Sequence, residues 1–279
     1  MAEHFVQPPH WEWYILGYFF LAGVTGGSYA LATMLRLWGG PRDQAAARVG
    51  FLIAFPVLAV CPIFLTLDLG QPLRFWHMLV STTPGQSGLA FKYWSPMSVG
   101  SWALLLYGIF AFVSFLDALG SGTLLAGAFG RLFIMVGAIL ALFVASYTGV
   151  LLSVSNQPVW SDTWTLGGLF LASGLNGSAA LLASLAANSE GRLRRAEGYF
   201  AVLELVLIVA FLATLAPAGT LPRVLSGSWI VLWVLVAVGL ALPLSEFVGR
   251  APAVSGVTAL VVLIGVLALR AVVIFSAQM

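Results

Sequence analysis

The sequence predicts an all-α integral membrane protein, with eight transmembrane helices set as two parallel four-helix bundles and both termini outside the cytoplasm. Three observations carry that expectation. Of 279 residues, 61% are hydrophobic and 8% are charged, against roughly a quarter charged in soluble domains, and mean hydropathy is +1.01. The apolar residues fall into runs of about 20, the length a helix needs to cross the hydrocarbon core; barrel strands would be half as long and alternating. A stretch of the first run is also echoed in the fifth.

The chain reads as one membrane domain over 1–279. Residues 1–12 are a polar lead-in with His4, Pro8, Pro9, His10 and Glu12; it lacks the basic stretch and small-residue cleavage site of a secretory signal. The first half, 13–155, holds the spans Trp13–Trp38, Gly50–Leu67, Met97–Asp117 and Leu132–Ser155. The second half, 164–276, holds Trp164–Ala187, Gly198–Ala216, Trp229–Phe247 and Val254–Ser276. Between the second and third spans lies a long connector, 68–95, whose Arg74, Phe75, Trp76, His77 and Met78 suggest a short amphipathic helix in the membrane interface.

Loops alternate sides, so their basic residues can be compared. Arg36, Arg42, Arg48, Arg131, Arg192, Arg194, Arg195 and Arg250 fall on one side, and Arg74, Lys92, Arg223 and Arg270 on the other. The positive-inside rule puts the richer side in the cytoplasm and both termini outside it. The echo is FLAGVTGGSYAL at Phe20–Leu31 against FLASGLNGSAAL at Phe170–Leu181. Four spans separate the two, so both helices cross in one direction, as a parallel repeat of two four-helix halves requires. Gly23 and Gly27, echoed by Ser173 and Gly177, have the small-xxx-small spacing that lets membrane helices approach closely.

Several chemistries are excluded. A membrane cytochrome needs axial ligands on its helices, usually histidines, and His4, His10 and His77 all lie outside the spans. A retinal protein needs a lysine within a helix, and the single lysine, Lys92, is in the connector. No Walker motif, metal-ligand cluster or nucleophile–base pair stands out. One cysteine, Cys61, between Pro56 and Pro62, excludes a disulfide framework within the chain and any multi-thiolate cluster; it reads as a buried structural thiol. A net charge of +2 gives no reason to expect nucleic acid. No haem or metal is expected in this chain, and membrane lipid is its surroundings.

Ionisable and polar groups in a membrane are costly and are candidates for function. Asp68 ends the second span, either as an interfacial cap paired with Arg74 or as a proton donor and acceptor. Tyr14 and Tyr18 share a helix face; Trp11, Trp13 and Tyr14 suit an aromatic belt, whereas Tyr18 is a turn deeper and needs a partner for its hydroxyl. Tyr147, in Ser146–Val150 (SYTGV), is two turns inside the fourth span, too deep for a belt. Glu204 and Arg270 lie inside the sixth and eighth spans and Glu246 ends the seventh. These three either stabilise packing or form a proton path.

The motifs Trp11-Glu12-Trp13 with FFLAGVTGGSYA, Asp68–Arg74, SYTGVLLSVSNQPVW (Ser146–Trp160) leading into LFLASGLNGSAAL, and LRAVVIFSAQ (Leu269–Gln278) occur in an order that resembles the NrfD-like, polysulfide-reductase membrane-anchor family over nearly the whole chain. Eight spans suit that type better than its ten-span relatives. The resemblance implies a quinone-reactive subunit of a multisubunit oxidoreductase in the bacterial inner membrane, taking menaquinone or ubiquinone. It implies partners too: a four-cluster ferredoxin-like iron–sulfur subunit docked at the quinone end, passing electrons to or from a molybdopterin catalytic subunit. By motif position Tyr147 corresponds to the tyrosine that hydrogen-bonds the quinone. Tyr18 stands where some members carry a quinone-binding histidine, and a phenol titrates near pH 10 rather than near neutrality. Proton exchange would then lean on Asp68, or on His10 or Glu12 folding back.

The expected quinone site is therefore Tyr18, Asp68, Arg74, Tyr147, His10 and Trp13, with Asp68 and Tyr147 as the reactive pair and Asn156 and Trp160 at the same end of the bundle. Two rival readings are a secondary transporter or proton-translocating subunit without quinone chemistry, favoured by the repeat and Glu204, and an anchor that holds partners only.

Overall fold

The computed structural model describes residues 7–82, 85, 87–120, 122–186, 190–249 and 255–278. The lead-in residue His4, the loop cation Arg250 and the span ends Ala187 and Val254 lie outside the described residues. The α-helices are α1 Trp13–Trp38, α2 Gln44–Leu67, α3 Pro96–Leu119, α4 Gly127–Ser153, α5 Leu166–Leu185, α6 Glu190–Ala218, α7 Leu221–Leu225, α8 Trp229–Phe247 and α9 Ser255–Ser276. All but the short α7 are long and apolar enough to cross a membrane, so eight such helices are present among the described residues.

Several helices outrun the apolar segments expected from sequence. Helix α2 begins before Gly50, and α6 begins two turns before Gly198. Hydropathy marks only what sits in hydrocarbon, whereas the i→i−4 ladder continues into polar turns as long as no breaker intervenes. The connector is not simply helical. Its amphipathic stretch forms a 3₁₀ helix, Pro72–Met78, followed by two short antiparallel strands, β1 Val80–Ser81 and β2 Gly88–Leu89, pairing Val80 with Leu89 and Ser81 with Gly88.

Packing follows from where the small residues are. Helix α1 lies against α2, α4, α5 and α9, and α5 lies against α1, α4, α6 and α9; α3 closes onto α2 and α4, and α8 onto α6 and α9. Accordingly 78% of the most apolar window of α1 is buried, 83% of that of α5 and 67% of that of α9, against 22–33% for the other five, which makes α1, α5 and α9 the interior helices. Helices α1 and α5 approach backbone to backbone. A Cβ added to Gly174 would sit 2.9 Å from the Gly23 Cα, and one added to Gly27 would meet Ser178 Cβ at 2.8 Å. The expected close approach is there, but in a register using Gly174 and Ser178. The anticipated pair turns elsewhere: Ser173 binds Arg270, and Gly177 meets Leu263 and Val266 of α9.

Polar bonds tie the two ends of the bundle differently. At the end carrying the lead-in, Trp11 N–H donates to Gln278 Oε1 at 2.6 Å, Gln278 Nε2 donates back to Trp11 O at 3.2 Å, and Trp160 Nε1 donates to Val273 O at 2.7 Å. The opposite, basic end is held by ion pairs: Arg36 with Asp117 at 2.5 Å, Arg192 with Asp43 at 2.6 Å and Arg194 with Glu246 at 2.5 Å. Arg270, counted above with the loop cations of the lead-in end, is fully buried inside α9. It leaves that count, which widens the charge asymmetry between the ends. Cys61 is buried, its thiol facing Val57 O at 3.7 Å.

Candidate functional site

A cavity of about 560 Å³ lies among α1, α2, α3, α4 and the connector, at the lead-in end. Its walls are chiefly apolar, with Ile15, Phe19, Phe55, Leu58, Ile109 and Phe112 among them. A few polar groups interrupt that surface: Tyr18 from α1, Thr66 and Asp68 from the end of α2, Ser101 from α3 and Tyr147 from α4. Volume and lining fall in the range of small-molecule sites, an apolar enclosure with a few placed polar groups.

Tyr18 is 4% exposed, with its ring edge-on to Phe19 at 5.4 Å between centroids. Its hydroxyl makes no hydrogen bond among the described residues, although nearly every buried phenol finds one. Tyr147 differs. Its hydroxyl donates to the Pro96 carbonyl in the first turn of α3, and its ring stacks on Phe143 at 5.7 Å. Gly100, one turn further along α3, makes room for that ring, since a Cβ there would stand 2.7 Å from the Tyr147 Cζ. With its proton committed to Pro96, the Tyr147 oxygen keeps only acceptor capacity.

Asp68 caps the C-terminal end of α2, its N–H bonding Phe64 O at 3.1 Å. Partial burial, and then the negative charge of Glu12, hold its carboxyl above the usual carboxylate range. The alternative reading of Asp68, an ion pair with Arg74, is not formed: Arg74 is exposed on the 3₁₀ helix and makes no salt bridge among the described residues. The sequence grouped six residues here. Tyr18, Asp68 and Tyr147 line the cavity; Arg74, His10 and Trp13 do not. His10 is exposed, with φ of 53°. Trp13 is 56% exposed and lies on Tyr14 at 3.9 Å and against Phe64, as a belt residue would.

Trp11, assigned to that belt from sequence, is instead a wall of the cavity, stacked on Trp160 at 5.1 Å and edge-on to Phe19. Thr66, Ser101 and Gly100 also went unnoticed. Gly100 sits in an unremarkable apolar run, and only the neighbouring ring reveals its role.

Glu204, Arg270 and Glu246 lie away from the cavity and form no single cluster. Asn176 Nδ2 donates to Glu204 Oε2 at 2.8 Å. Arg270 donates to Phe19 O, Phe170 O, Val266 O and Ser173 Oγ at 2.9–3.3 Å and lies over the Phe170 ring at 5.0 Å. Glu246 pairs with Arg194 at the basic end.

Eight membrane-crossing helices, with an apolar cavity at one end whose wall carries a phenol without a hydrogen bond among the described residues and a carboxyl of raised proton affinity, define a multi-pass membrane protein. The family model described as polysulfide reductase (NrfD_2) matches residues 5–279, and the chain belongs to that family. It is 27% identical to a polysulfide reductase component of Wolinella succinogenes over 96% of this chain and 94% of that protein. It is 25% identical to the protein NrfD of Escherichia coli over 96% and 95%. A shorter match, 30% identical, links 36% of this chain to 21% of a selenate reductase component of Mesobacillus selenatarsenatis.

Proposed function

We propose that the chain is the quinone-reactive membrane subunit of a multisubunit oxidoreductase. The observation that carries this reading is the Tyr18 hydroxyl, in the cavity wall without a hydrogen bond among the described residues. Facing the cavity, such a group is free to bond a ligand that enters it. A quinone ring offers carbonyl oxygens to a phenol donor and an apolar face to Phe19 and Trp11, and its isoprenoid tail suits the lining of leucine, isoleucine and phenylalanine. Menaquinone and ubiquinone both meet that description.

The division of labour follows from each group's hydrogen bonds. Tyr18 donates to one ring oxygen and orients it. Tyr147, its own proton engaged by Pro96, accepts from the reduced ring's hydroxyl. Asp68, whose carboxyl binds a proton more tightly than an exposed aspartate, exchanges that proton at the end of the cavity nearest water, because two-electron quinone chemistry moves two protons. Electrons come from or go to a partner of the iron–sulfur class, itself serving a molybdopterin subunit; the names of the polysulfide and selenate reductase relatives support such an assembly. We read the contacts among α1–α4, and among α5, α6, α8 and α9, as two parallel four-helix bundles of one domain. We assign the arginine-rich end to the cytoplasm by the positive-inside rule, and the cavity, the termini and the docked partner to the outer face of a bacterial inner membrane.

The test is quinone binding to the purified native complex, read as quenching of tryptophan fluorescence with Trp11 as reporter. Saturable quenching by a short-tailed quinone, weakened in Tyr18→Phe, supports the reading. Quenching that is absent or unaltered by that substitution removes it.

A further inference from the structure

Glu197 and Glu204 lie seven residues apart on α6, about 10 Å along one helix face. Both are shut away from solvent, at 1% and 2% exposure. Neither carboxylate oxygen of Glu197 accepts a hydrogen bond among the described residues. Arg194 Nη1 stands 3.8 Å from Glu197 Oε2 while pairing with Glu246, whose Oε1 accepts from Thr258 at 3.4 Å. Glu197 thus faces the charged cluster where α6, α8 and α9 meet at the basic end.

Deeper in the bundle, Glu204 accepts from Asn176 Nδ2, and the Asn176 Oδ1 is buried with no partner among the described residues. One turn along α5, Ser173 accepts from Arg270 Nη1 at 2.9 Å, and Arg270 Nε donates to the carbonyl of Phe19 at 3.2 Å. Phe19 is a cavity wall residue beside Tyr18. Two buried carboxylates and a buried guanidinium are a large cost for packing alone, and their order runs from the basic end to the back of the cavity.

We propose that Glu197 and Glu204 form a proton route from the basic end, with Glu204 as the group that loads a proton and Arg270 as the fixed charge linking its occupancy to charge in the cavity. The step is a reversible protonation: a proton handed on by Glu197 binds a carboxylate oxygen of Glu204, and no electron moves. Asn176 suits both states. Its N–H donates to the carboxylate, and after a half-turn of the amide its unused Oδ1 accepts from the protonated carboxyl. Arg270 favours the anion, and charge gained or lost in the cavity, one helix away, shifts that balance. This coupling rests on the quinone reading; the route itself does not.

Infrared difference spectroscopy on the native complex in vesicles separates the two. A pH jump imposed on the compartment facing the basic end is expected to raise a carboxylic-acid carbonyl band, with no quinone present. The band should vanish in Glu204→Gln, whose side-chain carbonyl still accepts from Asn176, and rise about tenfold or more slowly in Glu197→Gln with the same final amplitude. Complex yield and melting temperature confirm that both variants assemble. A band that persists in Glu204→Gln, or one that rises at the wild-type rate in Glu197→Gln, overturns the route. In a second arm, quinol added without a pH jump changes the same band. If the first arm holds and quinol binds but leaves the band still, the link through Arg270 is wrong while the route stands; if quinol does not bind, the quinone reading falls instead.

Discussion

Two tyrosines, one on α1 and one on α3, show how a hydroxyl's partners separate function from stability. The Tyr107 hydroxyl donates to Thr25 O at 3.0 Å and lies 2.9 Å from Thr25 Oγ1, fully buried. Tyr107→Phe removes both bonds to Thr25, whose Oγ1 keeps its bond to Ala54 O at 2.7 Å, and should cost about 1–2 kcal/mol in melting experiments with quinone affinity unchanged. Tyr18→Phe removes a hydroxyl that makes no hydrogen bond among the described residues. It should leave the melting curve within about 0.5 kcal/mol of wild type and weaken quinone binding about threefold to tenfold, the worth of one hydrogen bond. Asp68 carries a pH prediction. Its folded-state proton affinity is raised by burial first and Glu12 second, so the native state holds the extra proton between the unfolded and folded values. Its contribution to stability is present below the unfolded value and fades as pH rises through the folded one. Asp68→Asn should therefore flatten the alkaline side of that window in a melting-versus-pH series, and Glu12→Gln should move the inflection to lower pH. Tyr18, Asp68 and Tyr147 were legible in the sequence because polar groups stand out in apolar runs. Trp11 was not, since an aromatic at a span's edge looks alike whether it belts the membrane or walls a cavity. Glu197 escaped because hydropathy began the sixth span one residue after it.

At the scale of elements, the contact of α1 with α5 was readable as a tendency but not as a register. Small residues recur on both helices, and three or four positions of each would serve; which glycine meets which depends on how α4, α6 and α9 crowd the pair. The structure chooses Gly23 against Gly174, and that choice also sets Arg270, because a Cβ on Gly23 would meet its Nη2 at 2.5 Å. Gly174→Ala would face the Gly23 backbone at 2.9–3.1 Å, atoms that yield only if a whole helix shifts. Overpacking of this kind costs about 1–3 kcal/mol. The same change two turns away is the control. A Cβ on Gly168 meets only the flexible end of Leu207 at 3.6 Å, so Gly168→Ala should be neutral or stabilising by up to about 1 kcal/mol through the helix preference of alanine. If melting of the purified protein shows equal effects at the two sites, the backbone contact between α1 and α5 is not what holds those helices together.

For the whole molecule, the physical question is which end faces which compartment, since the proposed quinone site and proton route would lie at opposite ends and make their chemistry directional. The connector crowds exposed Leu73, Phe75, Tyr93 and Trp94 around the lead-in end with only Arg74 and Lys92 as cations. The opposite end is laced with arginines, and Arg36 also reaches Gly122 O and Leu125 O to pin the loop between α3 and α4. Cationic loops resist translocation, so the proposed orientation predicts that the basic end faces the cytoplasm. Cysteine labelling reads this directly, because the single native thiol, Cys61, is buried and contributes no background. Leu73, 89% exposed on the connector, and Leu124, 63% exposed in the basic-end loop, are suitable reporters. A membrane-impermeant maleimide applied to intact spheroplasts should label Leu73→Cys and spare Leu124→Cys, and inverted vesicles should reverse the pattern. Labelling of Leu73→Cys should also fall when an electron-carrying partner is bound, since a subunit delivering electrons to a cavity beside the connector must cover that face. The opposite labelling pattern would place the cavity in the cytoplasm, and protons moving from the basic end towards it would then travel inward rather than outward.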